Sequence, residues 1–128
     1  WNLGEASAAG SVLGYITAGV PTPAYYAEKM VSANLHGDIL APAGVPSGFS
    51  VYASHDPSAA MTAVLVLNKT TSGGALSFAV GGGAAKSFEF PAISVSLVQM
   101  PDAPGSAPRL LRYTADLAAA NLPPQLVP

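Results

Sequence analysis

Thr62-Ala63-Val64-Leu65-Val66-Leu67-Asn68-Lys69 decides the fold. Apolar residues occupy both alternating positions, so this stretch reads as a strand covered on two faces, at the centre of a sheet. Its neighbours alternate instead. Upstream, Phe49-Ser50-Val51-Tyr52-Ala53-Ser54 places Phe49, Val51 and Ala53 on one face and Ser50, Tyr52 and Ser54 on the other. Asp56-Pro57-Ser58 supplies the turn between the two. Downstream, Thr71-Ser72-Gly73-Gly74 turns into Leu76–Val80, Gly81-Gly82-Gly83 turns into Lys86–Phe90, and Ile93–Leu97 alternates again after Pro91. Short strands spaced by turn signals at roughly ten residues predict a mainly β chain, an antiparallel β-sandwich. Phe49, Phe78, Phe88 and Phe90 keep the inward period and belong to its core.

Ahead of the strands, a short N-terminal helix is expected. Thr22 is a fitting N-cap and Pro23 sits where its missing N–H costs nothing. Ala24, Ala27, Val31 and Leu35 recur at helical spacing beside Met30, with Glu28, Lys29 and Ser32 opposite and Gly37 as the stop. Tyr26 lies with Met30 and points inward, which leaves Tyr25 the more exposed of the two. Residues 12–16 (VLGYI) read as a strand or an irregular arm. In the tail, Pro108 opens a second helix with Leu110, Tyr113 and Leu117 on one face, ended by Pro123-Pro124. The 128 residues thus make one domain, 1–128, with an arm and helix over 1–37, strands over 38–100 and a tail over 101–128.

Half the residues are hydrophobic and only 9% are charged, for a net charge of −2. The five bases, Lys29, Lys69, Lys86, Arg109 and Arg112, form no run able to follow phosphates, so no nucleic-acid partner is expected. No stretch nears the ~20 apolar residues of a membrane span, and no membrane partner is expected either. Trp1-Asn2-Leu3-Gly4 has neither a basic nor an apolar signal region and no initial Met, so the chain reads as a piece of something longer. A surface covered by Ser, Thr, Asn, Gly and Ala is common on secreted bacterial modules, and an extracellular location is the expectation.

Cysteine is absent, which removes disulfides and thiolate chemistry. His36 and His55 stand in no metal-binding spacing, and no G-x-S-x-G elbow accompanies a serine. The acids, Glu5, Glu28, Asp38, Asp56, Glu89, Asp102 and Asp116, form no recognisable pair of the kind glycosidic cleavage needs. The chain is therefore expected not to be an enzyme. No cofactor and no transition metal are expected; the turn acids Asp38, Asp56 and Asp102 leave room for a structural calcium ion only. Asn68-Lys69-Thr70 matches a glycosylation sequon, idle in a bacterial source.

Three stretches carry a resemblance: PTPAYYAEKM (21–30) followed by HGDIL (36–40), FSVY (49–52) with VLVLNK (64–69), and FPAISVSL (90–97). Together they resemble the last barrel helix and the C-terminal β-sandwich of clan-A glycoside hydrolases, such as family forty-four endoglucanases and related arabinosidases. The resemblance implies a carbohydrate-active context in which a tethered catalytic domain holds the cleaving carboxylates. It also implies that Trp1 echoes the sugar-stacking Trp at the end of the last barrel strand.

The functional expectation is a non-catalytic carbohydrate-binding module of a plant-cell-wall-degrading enzyme. Its ligand would be β-glucan, xyloglucan or cellulose-type chains, held by rings stacked on the apolar faces of sugars. Tyr52, flanked by Ser50 and Ser54, is the expected centre of that platform, with Tyr25, Trp1 and Tyr15 as further rings. The alternative is a structural sandwich that braces a catalytic barrel without touching substrate.

Overall fold

A computed structural model describes residues 16–17 and 19–128. The elements are β1 (Ile16–Thr17), β2 (Val20–Pro21), α1 (Pro23–Ser32), β3 (Asp38–Leu40), β4 (Phe49–Asp56) and β5 (Met61–Asn68). They continue with β6 (Gly74–Phe78), β7 (Lys86–Phe90), β8 (Ser94–Pro101), β9 (Arg109–Thr114), α2 (Ala115–Ala119) and β10 (Gln125–Val127). The protein is mainly β and every strand pairing is antiparallel. Six strands form one sheet in the order β10-β9-β8-β5-β4-β3, and β6-β7 form a hairpin. The sandwich is lopsided, with α1 against one face of the sheet and the hairpin against the other.

β5 sits inside the sheet, as its composition predicts. Val64 and Val66 face the hairpin, while Ala63 and Leu65 face α1, and all four are buried. Phe90, 1% exposed, centres the hairpin-side core, where Phe49, Phe78 and Phe88 pack around it. The Phe78 ring lies 5.9 Å from Phe88 and 6.1 Å from Phe90. Arg112 Nη2 donates to the Glu89 carbonyl at 2.7 Å, tying the hairpin to β9.

Asn68 fastens the point where the chain leaves the sheet for the hairpin and returns. Its Nδ2 donates towards the carbonyls of Ser72, Phe90 and Pro91 at 2.9, 3.2 and 2.8 Å, and its Oδ1 accepts the Thr70 N–H at 3.0 Å. At 2% exposure, with both ends of the amide engaged, Asn68 is a structural residue and not a glycan acceptor. The sequon pattern is coincidental with this knot.

Three details differ from the sequence reading. Tyr26, Met30 and Leu35 form the inward face of α1 and its exit, while Val31 is 37% exposed. The larger side chains win the contact with Leu65, Leu97 and Tyr113, and of the predicted Ala24–Ala27–Val31 stripe Ala24 and Val31 are exposed while Ala27 is half-buried. The helix ends at Ser32, with Asn34 Nδ2 donating to the Met30 carbonyl at 2.8 Å, so Gly37 is not its stop. Gly37 instead enters β3 at φ +76°, where any Cβ would collide with the His55 carbonyl.

The third difference is the tail. Residues 109–114 form β9, not a helix, and only the five-residue α2 follows. Leu110, Tyr113 and Leu117 fit a helical period, but Leu111 and Tyr113 equally fit period 2. Pairing with Leu97 and Val95 on β8 decides the matter. A helix there would leave the β8 backbone groups without partners along a buried edge. The tail therefore supplies two strands of the main sheet, β9 and β10.

Candidate functional site

Strand register sorts the candidate residues onto faces. Ser50, Tyr52 and Ser54 lie opposite Leu67, Leu65 and Ala63, so all three are on the α1 side. α1 covers the β5, β8 and β9 part of that side and stops short of β4. Tyr52 is consequently 55% exposed, and among the described residues it makes no ring contact. Ile39, opposite Ser54 on the edge strand β3, shares the face and is 91% exposed. Ser50 is half-buried.

Ser54 corrects the expected platform. It is 4% exposed and its Oγ has no partner, so it offers no hydroxyl to a surface ligand. In the register it lies between Ile39 of β3 and Ala63 of β5. Tyr25 is half-buried, stacked edge-on against Tyr26 at 5.6 Å with Lys29 Nζ 5.8 Å from its ring centre. That leaves it a poorer stacking surface than its place on the helix predicts. Trp1 and Tyr15 lie outside the described residues. Of the six candidates, Tyr52 and Ser50 are the pair brought together on one strand face, and Ile39 is the neighbour that sequence reading missed. Nothing local marks Ile39; only the β3–β4 register puts it there.

The opposite face holds a second arrangement. Between the hairpin and the sheet lie two adjoining cavities of about 680 and 610 Å³, both bordered by Leu40, Thr62, Phe78, Val80 and Gly81. The larger is lined by no charged side chain, whereas the smaller carries His55, Lys86 and Asp102. His55 Nε2–H donates to Asp102 Oδ2 over 3.0 Å. His55 pairs with Thr62, which pairs with Met100, so this contact arches over the end of β5. Beneath it Thr62 is 1% exposed and its Oγ1 has no hydrogen-bond partner among the described residues. Lys86 Nζ reaches the Ser106 carbonyl at 3.4 Å and has no carboxylate partner among the described residues.

The remaining acids have local roles. Asp56 Oδ1 accepts from Ser58 Oγ at 2.6 Å and from the backbone N–H groups of Ser58 and Ala59. The Ser58 hydroxyl above all, then the Ala59 N–H, hold its carboxyl below the usual aspartate range. Tyr113 is buried, and burial first, then the neighbouring Tyr26, raises its phenol above the ordinary value. Among the described residues no cluster of three His, Cys, Asp or Glu side chains is placed to hold a metal ion, Asp38, Asp56 and Asp102 included. Among the described residues no helix is long and apolar enough to cross a membrane.

A scan of protein-family models finds no match, and neither curated proteins nor solved structures yield a similar chain.

Proposed function

We propose that this chain is a non-catalytic β-sandwich module of a larger, secreted carbohydrate-active enzyme, and that it braces the catalytic domain through the open part of its α1-side face. The observation that carries this reading is Ile39, 91% exposed beside Tyr52 on a sheet face without a charged side chain between them. An aliphatic side chain so open to water gains about 1.5–3 kcal/mol on burial, and a neighbouring ring adds to it. The resemblance to glycoside-hydrolase sandwiches supports a catalytic barrel as the surface that covers them. The carboxylates that cleave would sit there.

The test is the association state of the isolated chain. Light scattering across a concentration series, with binding of an apolar dye, should reveal self-association through the uncovered face. Ile39→Ser should return the chain to a monomer without changing its fold. A dye-negative, monodisperse wild-type chain would refute the brace.

A second reading keeps carbohydrate as the ligand of the same face. Tyr52 favours it, since a 55% exposed ring beside the Ser50 hydroxyl is able to stack on a glucose unit of a β-glucan. With Ser54 buried and Tyr25 partly covered, the ring stands without a second one in line among the described residues. Retardation in glucan gels abolished by Tyr52→Ala would favour this reading over the first.

A further inference from the structure

We infer that β3 is a strand-addition edge whose partner is β3 of a second copy, so that two six-stranded sheets join about a two-fold axis at Ile39. β3 and β10 form the two ends of the sheet, each three residues long and paired on one side only among the described residues. The backbone N–H and C=O groups on such an outer edge are a template for another strand. The two ends are not alike. Pro124 and Pro128 flank β10 and bring no N–H, a guard that edge strands commonly carry. β3 holds neither proline nor lysine. It reads Asp38-Ile39-Leu40 and is exposed throughout, with Ile39 at 91% on one face and Leu40 at 36% on the other.

The register selects a second copy as the partner. An antiparallel pair centred on Ile39 sets Ile39 against Ile39 of the second copy and each Asp38 against a Leu40. Centring it on Asp38 would oppose two carboxylates, and centring it on Leu40 would bring Pro42 opposite Asp38, with no N–H for the ladder. With 9% charged residues and a net charge of −2, two copies repel each other little. Pairing uses up the open edge of each copy and leaves a proline-flanked β10 at either end, so association closes at two instead of growing into a fibre. Three residues a side make a small contact and hence a weak pair. Both α1-side faces come to lie on one side of the joined sheet, where Tyr52 and Ile39 of the two copies form a single strip. The pairing thus goes beyond the brace and doubles the face that the brace uses.

The chain has no cysteine, so single replacements report the register cleanly. In the Ile39-centred pair the two 39 positions lie about 4.5–5.5 Å apart at Cα, within disulfide reach. Position 38 lies about 8 Å from its own copy, beyond that reach, but directly opposite position 40. In a glutathione redox buffer, Ile39→Cys is expected to give a linked dimer. Asp38→Cys and Leu40→Cys are each expected to stay unlinked alone, and to link about tenfold or more when mixed. All three positions are exposed, so thermal melts of the variants should match the wild type. Light scattering of the wild type should plateau at twice the monomer mass. Face-to-face association through Ile39 and Tyr52 could link Ile39→Cys but not the mixture, because 38 and 40 lie on the opposite face. A mixture that stays unlinked while the wild type self-associates would therefore overturn the pairing and leave the brace standing. A wild type that stays monomeric at every concentration would overturn both.

Discussion

The two faces of the six-stranded sheet are covered in different ways, and the difference separates what holds the molecule together from what it leaves open. On one face α1 and its exit press Tyr26, Met30 and Leu35 onto Leu65, Leu97 and Tyr113, with Leu117 and Ala118 of α2 beside them, and this cover stops before β4. On the other a hairpin rich in phenylalanine covers Val64, Val66 and Val98 and leaves a polar-ended groove at its rim. The open part of the helix side carries Ile39 and Tyr52 with Asp56 at its edge, whereas the open part of the hairpin side carries His55, Asp102 and Lys86.

The harshest way to break this comparison is at Asn68. It joins β5, the turn at 70–72 and the turn at 90–91, all on the hairpin side. Asn68→Ala strands the buried Phe90 carbonyl and takes the amide from the part-buried carbonyls of Ser72 and Pro91, and a loss of about 3 kcal/mol is expected from urea unfolding. If the faces are separable, the hairpin-side amides should lose hydrogen-exchange protection while α1 and Leu97 keep theirs. Equal loss on both faces would show one cooperative unit instead.

Much of this division is legible in the chain. The both-face apolar run of β5 gives the central strand, the glycine-rich turns give the hairpin, and the phenylalanines fall into the core by alternation. Tyr52 is legible too, because period 2 puts it away from Phe49 and Val51. What stays hidden depends on contacts between distant segments. β9 reads as helix until β8 offers it a partner. Ser54 reads as a surface hydroxyl until β3 and β5 flank it. His55 and Asp102 are 47 residues apart and meet only because β4, β5 and β8 lie side by side. Sequence period assigns a residue to a face, while exposure depends on where the covering element ends.

A gentler change sharpens the helix side. Tyr113 carries a buried hydroxyl without a partner among the described residues, against the ring of Tyr26 at 6.0 Å. Tyr113→Phe removes the orphan and keeps the packing, so a gain of up to about 1 kcal/mol is expected in urea unfolding. The phenol's raised folded value gives the same residue an alkaline signature. Its contribution is present below the ordinary phenol range near 10 and fades as pH rises through the higher folded value. The variant should therefore lose less stability than wild type on going to strongly alkaline pH. A destabilised Tyr113→Phe protein would mean that the hydroxyl is satisfied in solution.

The smallest effect belongs to the β4-β5 turn, where Asp56 lies on the same side of the strand as Tyr52. Ser58 and Ala59 donate to its carboxylate and lower its folded value. A lowered folded value makes the group stabilising above the ordinary aspartate range near 4, and that contribution disappears as pH falls through the folded value. Asp56→Asn keeps an acceptor for the turn but abolishes the titration. Its deficit against wild type, measured by urea midpoint, should be small, constant from pH 7 to about 5, and should close below about 4. A deficit that persists into acid would place the effect in the shape of the turn rather than in the charge.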